Sequence, residues 1–427
     1  MANTAQFLEK YKLRAADIDI DSVVQSFLSE MEKGLQGSDS SLRMIPTYIE
    51  ADNTFKTGVP VTAIDAGGTN FRVAKVMFTD DGKLEMSEPL KEKMPGQDGM
   101  VSKEEFFTIV ANYVKDIAEQ TDSIGFCFSY PTEILPNKDG ILLQFSKEVQ
   151  APEVIGELIG ENLLISLNMP DKEIVLLNDT VATLLAGKSA SFEKEYDSYI
   201  GFILGTGTNT CYIEKNENIT KSSNLKPGRS QIINMETGAF GKAPRGALDA
   251  AFDDTTATKG EYHFEKMFSG GYFGGLVHTV LKAAADEGLL SSESGKKLQG
   301  MKDLSTEDVN IFLDTEKDHT GPLAEMITTD RDQEISREII RSLLARAAKL
   351  VAANLAAVIL KTGKGLDAGK PILITVEGTS YYKLKGLKDQ IEAELSDYLS
   401  GENQRFYEFT YVDQSSLVGG ALAALIE

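Results

Sequence analysis

Tryptophan is absent from this chain of 427 residues, and cysteine and histidine occur only two and three times. Two thiols are too few for a zinc site with four cysteine ligands, and they indicate a reducing compartment rather than a disulfide framework. Neither a Ser/His/Asp arrangement nor a His-x-x-His pair is present, which disfavours hydrolysis by a histidine-activated nucleophile. We expect Cys127 and Cys211, which lie in apolar runs, to fill space in the core.

Positive charge is scarce as well. The chain has 43 lysines and arginines against 65 aspartates and glutamates, and its formal net charge is −22. A surface of this sign repels phosphate at long range, so we expect neither a nucleic-acid partner nor an anionic membrane partner. A nucleotide would have to be bound by local donors together with a divalent cation.

The chain also has no long uninterrupted apolar run. The longest apolar stretch, 343–360, contains Arg346, Lys349 and Asn354, which predicts a buried helix rather than a membrane span. The N-terminus has neither a cationic start nor an apolar core, and it does not resemble a signal peptide. The expected location is therefore the cytoplasm.

Hydrophobic periodicity predicts a repeated α/β arrangement after an amphipathic helical segment. The first part has predicted strands at 61–66, 71–78, 83–94, 123–128 and 174–177 and predicted helices at 4–35, 103–119, 154–167 and 180–185. The second part has predicted strands at 199–204, 210–214, 230–234, 372–376 and 406–411 and predicted helices at 273–287, 334–360, 384–399 and 416–426. The repetition predicts two lobes, each with a mixed sheet flanked by helices, and a ligand-binding cleft between them.

Three glycine-containing turns follow short apolar strands, and together they predict a nucleotide-binding cradle. Glycine lets backbone amides approach phosphate oxygens closely, and threonine or serine hydroxyls add donors. The first turn continues into a predicted strand, whereas a P-loop or a dinucleotide-binding motif would require a helix there. The pattern therefore indicates a phosphate-binding hairpin. The three turns are Asp65-Ala-Gly-Gly-Thr-Asn70, Gly205-Thr-Gly-Thr-Asn209 and Glu377-Gly-Thr-Ser380.

With these turns, the chain resembles the hexokinase family, within the wider group of sugar kinases that share the actin and Hsp70 ATPase fold. The resemblance implies two RNase H-like lobes with a cleft between them. The small lobe would comprise 60–177 plus 413–427, and the large lobe 1–59 plus 178–412. The segments that carry the resemblance are 65–72, 125–131, 143–147, 178–183, 205–209, 233–236 and 264–272.

The resemblance implies that ATP and Mg²⁺ are bound by the glycine turns. Asp65 would orient Mg²⁺ through water, because Mg²⁺ keeps part of its hydration shell; from the sequence alone, this aspartate is equally a turn former. Arg72 would contact phosphate or pair with a nearby carboxylate, and the sequence leaves both partners open. The other implied nucleotide contacts are Gly67, Gly68, Thr69, Asn70, Gly205, Thr206, Gly207, Gly378, Thr379, Ser380 and Ser415.

Asp179 follows a buried strand and precedes a helix, where its carboxylate can face the cleft. Phosphoryl transfer to a sugar hydroxyl needs a base, in-line positioning and charge neutralisation. By resemblance, Asp179 is the base that accepts the proton of the 6-hydroxyl; its position alone is also typical of a helix N-cap. Glu265 likewise fits a solvated charge on a helix face. The implied sugar contacts are Ser129, Ser146, Lys147, Asn178, Asp179, Asn209, Glu236 and Glu265.

These features predict an ATP-dependent hexokinase that converts a D-hexose to its 6-phosphate, with glucose as the first choice and fructose or mannose as further substrates. Two other interpretations stay open. One is a kinase of another sugar, such as an N-acetylhexosamine, and the other is a sugar-sensing or actin-like protein without transfer activity. The expected ligands are the hexose and Mg-ATP, and the expected state is a monomer or a homodimer.

Three segments depart from the family pattern. The sugar loop reads Phe145-Ser-Lys-Glu-Val149 where Trp-Thr-Lys-Gly-Phe is usual, and the third turn begins with Glu377 where aspartate is common. The segment 413–420 lacks the usual first glycine. Ser146 keeps a hydroxyl that can bind sugar, whereas Glu148 replaces a glycine. These changes bear on hexose preference and nucleotide affinity more than on the type of reaction.

Overall fold

The computed structural model describes residues 3–50, 54–68, 70–145, 149–190, 194–223, 225–314 and 321–426. The helices are α1 (Thr4–Lys10), α2 (Ile20–Gln36), α3 (Lys103–Ala118), α4 (Ile159–Ser166), α5 (Asp179–Ser189), α6 (Ala247–Asp253), α7 (Phe273–Asp286), α8 (Ser292–Gly300), α9 (Thr306–Asp314), α10 (Pro322–Met326), α11 (Asp330–Thr362), α12 (Thr379–Lys383), α13 (Leu387–Tyr398) and α14 (Ser415–Leu425). The strands are β1 (Ile45–Pro46), β2 (Val61–Gly67), β3 (Asn70–Phe78), β4 (Leu84–Met86), β5 (Leu90–Lys93), β6 (Ser123–Phe128), β7 (Thr132–Ile134), β8 (Gly140–Leu142), β9 (Glu173–Leu177), β10 (Ser198–Leu204), β11 (Thr208–Lys215), β12 (Ser230–Asn234), β13 (Ile372–Glu377) and β14 (Tyr407–Thr410).

Two large mixed sheets in the described part of the chain form the framework, and each combines a hairpin with parallel strands. In the first sheet the order is β4-β3-β2-β6-β9, and β5 also pairs with β3. In the second sheet the order is β1-β12-β11-β10-β13-β14. Strand β2 is antiparallel to β3 and parallel to β6, just as β10 is antiparallel to β11 and parallel to β13. The repeated pattern confirms the predicted fold class.

The inner strands are buried on both sides because helices cover both faces of the sheets. All residues of β6 are buried, as are all residues of β2 except the last. Helices α3 and α14 pack against β2, and α5 packs against β10. Cys127 in β6 and Cys211 in β11 are free and buried, which confirms the prediction that they are core residues.

Helices α5 and α14 pack against each other and join the two sheets, because α14 also contacts β2 and β6 while α5 also contacts β10. Their backbones approach closely. A Cβ added at Gly419 of α14 would lie 1.9 Å from the carbonyl oxygen of Ala182 in α5. A Cβ added at Gly125 of β6 would lie 1.8 Å from the carbonyl oxygen of Gly420. Any side chain at these positions would push the elements apart.

Helix α11 contains the predicted buried helix 343–360. By length and composition it is the one helix in the described ranges that could span a membrane, but 83% of its most apolar window is buried inside the protein. It packs against α2, α7 and α13. Two of its polar interruptions have partners: Arg346 Nη2 donates to Asp249 Oδ1 at 2.7 Å, and Asn354 Nδ2 donates to Thr210 Oγ1 at 2.7 Å.

Some predicted elements differ from the observed ones. The single strand predicted at 83–94 is two short strands, β4 and β5, which pair with different parts of β3. The helix predicted at 154–167 starts at Ile159, because Gly156 adopts φ 87° after a short 3₁₀ turn at Pro152–Val154. Helices α6, α8, α9, α10 and α12 are too short to give a clear periodic signal. The lobe boundaries stay a prediction.

Candidate active site

A cavity of about 320 Å³ lies where the carboxyl ends of β6 and β9 face the hairpin β10–β11 and the end of β12. Its volume falls in the range of small-molecule sites, roughly 300–1,000 Å³. Amides and carboxylates form much of its wall, together with aromatic and aliphatic groups. Its lining includes Arg43, Ser129, Tyr130, Asn178, Asp179, Gly207, Asn209, Asn234, Glu236, Tyr262 and Glu265.

Asp179 is the first residue of α5, but it is not the helix cap. Asn178 caps the helix, and its Oδ1 accepts a hydrogen bond from the Thr180 amide at 2.9 Å. The capping interpretation of Asp179 is therefore wrong. The Asp179 carboxylate lines the cavity and accepts a second bond from the Thr180 amide at 2.7 Å. Burial, with smaller effects of the charges of Glu236 and Asp65, raises the pKa of Asp179 to about 6.

A chain of hydrogen bonds fixes part of the polar wall of this cavity. Asn209 Nδ2 donates to Asn234 Oδ1 at 2.7 Å, and Asn234 Nδ2 donates to Glu236 Oε1 at 2.8 Å. Asn209 Oδ1 accepts from the amides of Thr210 and Thr237 at 2.8 and 3.2 Å. Glu236 has φ 60°, a left-handed conformation that is uncommon outside glycine and is often found at functional sites. The side-chain orientations are thus set before any ligand binds.

Glu265 begins a 3₁₀ turn at Glu265–Met267 and is directed toward the second glycine turn. Its Oε2 accepts a hydrogen bond from the Thr208 amide at 2.8 Å. A Cβ added at Gly207 would lie 2.5 Å from the same oxygen, so glycine is needed for this contact. Burial raises the pKa of Glu265 to about 7, although the Thr208 amide acts in the opposite direction. A solvated helix-face charge is therefore the wrong interpretation of Glu265.

The first glycine turn adjoins the same cavity through two of its lining residues. Tyr130 Oη donates to the Gly68 carbonyl oxygen at 2.8 Å, and the Ser129 amide donates to the Ala66 carbonyl oxygen at 3.0 Å. A Cβ added at Gly67 would lie 3.0 Å from Ser129 Oγ. Gly68 has φ 56°, which glycine adopts at little cost. The first turn and the cavity therefore share one wall.

Asp65 and Arg72 face each other across the β2–β3 hairpin and form an ion pair. Arg72 Nε donates to Asp65 Oδ2 at 2.8 Å, so of its two predicted partners Arg72 contacts the carboxylate here. Burial raises the pKa of Asp65, and the guanidinium opposes that effect. A single carboxylate beside the predicted phosphate-binding turn suits Mg²⁺, which binds one or two carboxylates and keeps several waters. Within the described ranges, no group of three or more His, Cys, Asp or Glu residues forms a metal site.

The second and third glycine turns meet beside a further cavity of about 440 Å³. Ser380 Oγ donates to the Gly205 carbonyl oxygen at 2.9 Å, and the Gly270 amide donates to the same oxygen at 2.8 Å. A Cβ added at Gly378 would lie 2.3 Å from the carbonyl group of Leu204, so the two turns approach backbone to backbone. The lining of this cavity includes Gly205, Thr206, Gly270, Thr306, Glu307, Asn310, Thr379, Ser380, Lys383 and Leu384.

Ser415 does not line the 440 Å³ cavity. Its hydroxyl donates to the carboxylate of Glu377, the last residue of β13, and Thr183 Oγ1 lies 3.5 Å from Glu377 Oε2. The carboxylate thus connects β13 to α14 and α5. Burial, followed by the charges of Asp179 and Asp65, raises the pKa of Glu377 to about 7. Sequence reasoning noted Glu377 only as a departure from the family pattern.

Three predicted contacts lie outside the described residues: Thr69, Ser146 and Lys147. Asn70 is described as an exposed residue at the start of β3. The cavity residues that the sequence interpretation did not single out include Arg43, Asn234 and Tyr262. Asn234 had a weak signal, because it ends a predicted strand and lies inside the segment 233–236, which carries the family resemblance. Tyr262 had none, since its left-handed φ of 51° is visible only in the backbone.

The chain is similar to known proteins in sequence and in fold. Two family models described as hexokinase match residues 3–189 and 199–426. Hexokinase-1 of Schizosaccharomyces pombe is 28% identical over 95% of this chain and 87% of its own length. Hexokinase-3 of Homo sapiens is 31% identical over 82% of this chain and 39% of its own length. The structure of a Schistosoma mansoni hexokinase complexed with glucose has a TM-score of 0.78 at 23% identity, covering 99% of this chain and 98% of that chain, which shows the shared fold.

Proposed function

The chain belongs to the hexokinase family, and from that premise we propose that it transfers the γ-phosphoryl group of ATP to the 6-hydroxyl of a D-hexose, with glucose as the first choice. Hexokinase activity itself follows from the family. The observation that carries the finer proposal is the position of Asp179. It lines one cavity with Gly207 of the second turn, and that cavity shares a wall with the first turn through Ser129.

In the proposed reaction, Asp179 accepts the proton of the 6-hydroxyl while that oxygen attacks the γ-phosphorus. The new oxygen–phosphorus bond forms as the bond to the bridging oxygen breaks, which gives hexose 6-phosphate and ADP. A pKa of about 6 supports this role, because Asp179 is then ionised near neutral pH and still basic enough to receive a proton.

The sugar hydroxyls are proposed to bind the polar wall formed by Asn178, Asn209, Glu236 and Glu265, with Ser129 on the opposite side. These groups offer both donors and acceptors, and the hydrogen bonds among them hold their positions. A wall of partly buried amides and carboxylates disfavours any sugar that leaves one of them unpaired. The proposed specificity is therefore for a hexose with a full set of hydroxyls.

The nucleotide phosphates are proposed to lie between the first turn, at Gly67 and Gly68, and the second turn, at Thr206 and Gly207. The adenosine would then occupy the 440 Å³ cavity near Thr379 and Ser380. Mg²⁺, when bound, would neutralise phosphate charge, and Asp65 would hold it through water. The Arg72 guanidinium supports that role because it favours the ionised form of Asp65.

Coupled measurement of ADP release tests the proposal with glucose, mannose, fructose and N-acetylglucosamine as acceptors. The parent protein is expected to be active with glucose, and Asp179→Ala is expected to lose about 10²-fold or more in kcat. Asp116→Ala, an exposed change on α3, is the matched control and should keep parent kinetics. Near-parent turnover by Asp179→Ala would contradict the base assignment. Activity with N-acetylglucosamine but not glucose would contradict the substrate assignment.

A further inference from the structure

A separate cavity of about 780 Å³ shares no described lining residue with the 320 Å³ cavity. It lies between the segment that follows β1, the β7–β8 loop and the connection from β11 to β12. Among its described lining residues are four cations, Lys138, Lys221, Lys226 and Arg229, against the single carboxylate of Glu50. Such a concentration of positive charge is unexpected in a chain whose formal net charge is −22.

Buried side-chain hydrogen bonds hold the floor of this cavity in place. Gln231 Oε1 accepts from the Tyr48 amide at 2.9 Å, and Gln231 Nε2 donates to Asn216 Oδ1 at 3.0 Å. Asn216 Nδ2 in turn donates to the carbonyl oxygen of Lys226 at 2.9 Å. Both Gln231 and Asn216 are buried. The backbone that carries Lys226 is therefore fixed to the second sheet.

Two non-glycine residues of the cavity wall adopt left-handed backbone conformations. Tyr48 has φ 56° and Lys138 has φ 65°. Such conformations are strained, and they cluster at ligand-binding sites. In Lys138 the conformation belongs to the turn between β7 and β8, where its amide donates to the Leu135 carbonyl oxygen at 2.8 Å. The backbone strain is a second observation, independent of the charge distribution, that indicates a ligand-binding site in this cavity.

Two lysines of this cavity have no ion-pair partner in the described part of the chain. Among the residues that the structure describes, no carboxylate lies within ion-pair distance of Lys138 or Lys226. Arg229 lies 3.7 Å from Glu50, and Lys221 Nζ donates to the carbonyl oxygen of Arg43 at 2.6 Å. Burial lowers the pKa of Lys221 to about 8, and a bound anion would counteract that effect.

We propose that this cavity is a binding site for a small phosphate-bearing anion. Lysine ammonium groups bind phosphate as point charges, and the hydroxyls of Ser222 and Ser223 add donors on the same wall. A volume of about 780 Å³ exceeds what a phosphate group needs, so an organic part can be accommodated. The site is distinct from the phosphate-binding turns, and its assignment does not depend on the proposed reaction.

A single tryptophan placed in the cavity gives a local test, because the parent chain contains none. The emission of Tyr48→Trp is titrated with inorganic phosphate and with a hexose 6-phosphate, at ionic strength held constant with chloride. We expect a saturable change with at least one of the two. Adding Lys138→Gln and Lys226→Gln is expected to weaken binding about tenfold or more. Lys302→Gln, an exposed change on the chain between α8 and α9, should leave it unaltered.

Saturation by inorganic phosphate would show that the phosphate group is sufficient for binding. Saturation by hexose 6-phosphate alone would show that the site also needs the sugar part of the ligand. No response to either anion, or an equal response in the double lysine variant, would overturn the proposal. Equilibrium dialysis of labelled phosphate against the full chain without the tryptophan supplies a second measurement. There the double lysine variant is expected to bind phosphate about tenfold or more weaker at this site than the parent, and an unchanged affinity would overturn the site.

Discussion

Replacing Asp179 with asparagine separates the chemical role of this carboxylate from its effect on stability. Asparagine has nearly the same shape, and its Oδ1 can still accept the bond that the Thr180 amide makes at 2.7 Å. It cannot accept a proton from a sugar. We expect kcat to fall about 10²-fold or more while the protein becomes more resistant to unfolding.

The gain in stability follows from the pKa of Asp179, which is about 6 in the folded protein compared with an ordinary value of 3.8. The folded state binds this proton more tightly than the unfolded chain, so stability falls as pH rises between these two values and stays reduced above them. A tenfold change in proton affinity corresponds to about 1.4 kcal/mol, which sets an upper limit of about 3 kcal/mol. Partial exposure to the cavity reduces the expected gain to about 1–2 kcal/mol.

Urea unfolding of both proteins at about pH 8, pH 6 and pH 4 measures this difference. The variant should be the more stable protein at pH 8, and its advantage should shrink toward pH 4, where Asp179 of the parent is itself protonated. Asp116→Asn on the exposed face of α3 is the control and should show no such pH-dependent gain. An advantage that is absent at pH 8, or one that is constant from pH 8 to pH 4, would refute the reasoning.

Three further substitutions test the remaining parts of the site. Glu265→Gln keeps an acceptor but removes the charge, so KM for the sugar is expected to rise about tenfold with a smaller change in kcat in steady-state kinetics. Gly207→Ala would place a Cβ 2.5 Å from Glu265 Oε2 and should lower kcat/KM about tenfold or more. Gly300→Ala is the control: its Cβ would have no atom within 4 Å, so kcat/KM should not change. Glu236→Gln removes a negative charge that raises the pKa of Asp179, so the acid limb of the pH profile of kcat/KM should move to lower pH; an unmoved limb would contradict the coupling.

Much of the fold could be predicted because its strongest signals are local. The buried strands β2, β6 and β10 are short apolar runs that end in glycine turns or polar residues, and that pattern needs no knowledge of the partner strand. The position of Asp179 at the end of β9 is local in the same sense. The capping of α5 was less certain, because Asn178 and Asp179 are both good cap residues and only the observed geometry separates them.

The parts that could not be predicted depend on contacts between distant segments. Asn234 belongs to the cavity wall only because β12 pairs with β11, which brings it to Asn209. Glu236 and Tyr262 have left-handed backbone conformations. Residue preferences could not predict them, because glutamate and tyrosine rarely adopt positive φ angles. The bond between Ser415 and Glu377 joins residues separated by 38 positions, and neither residue indicates the other in the sequence.

The contact of Gly419 with Ala182, described above as a close approach of two helices, also limits how this protein can change over time. At this contact the backbones of α14 and α5 touch directly, because Gly419 has no side chain that could lie between them. Any larger residue at position 419 would collide with the backbone of α5, so the two helices keep this spacing only while the position is glycine.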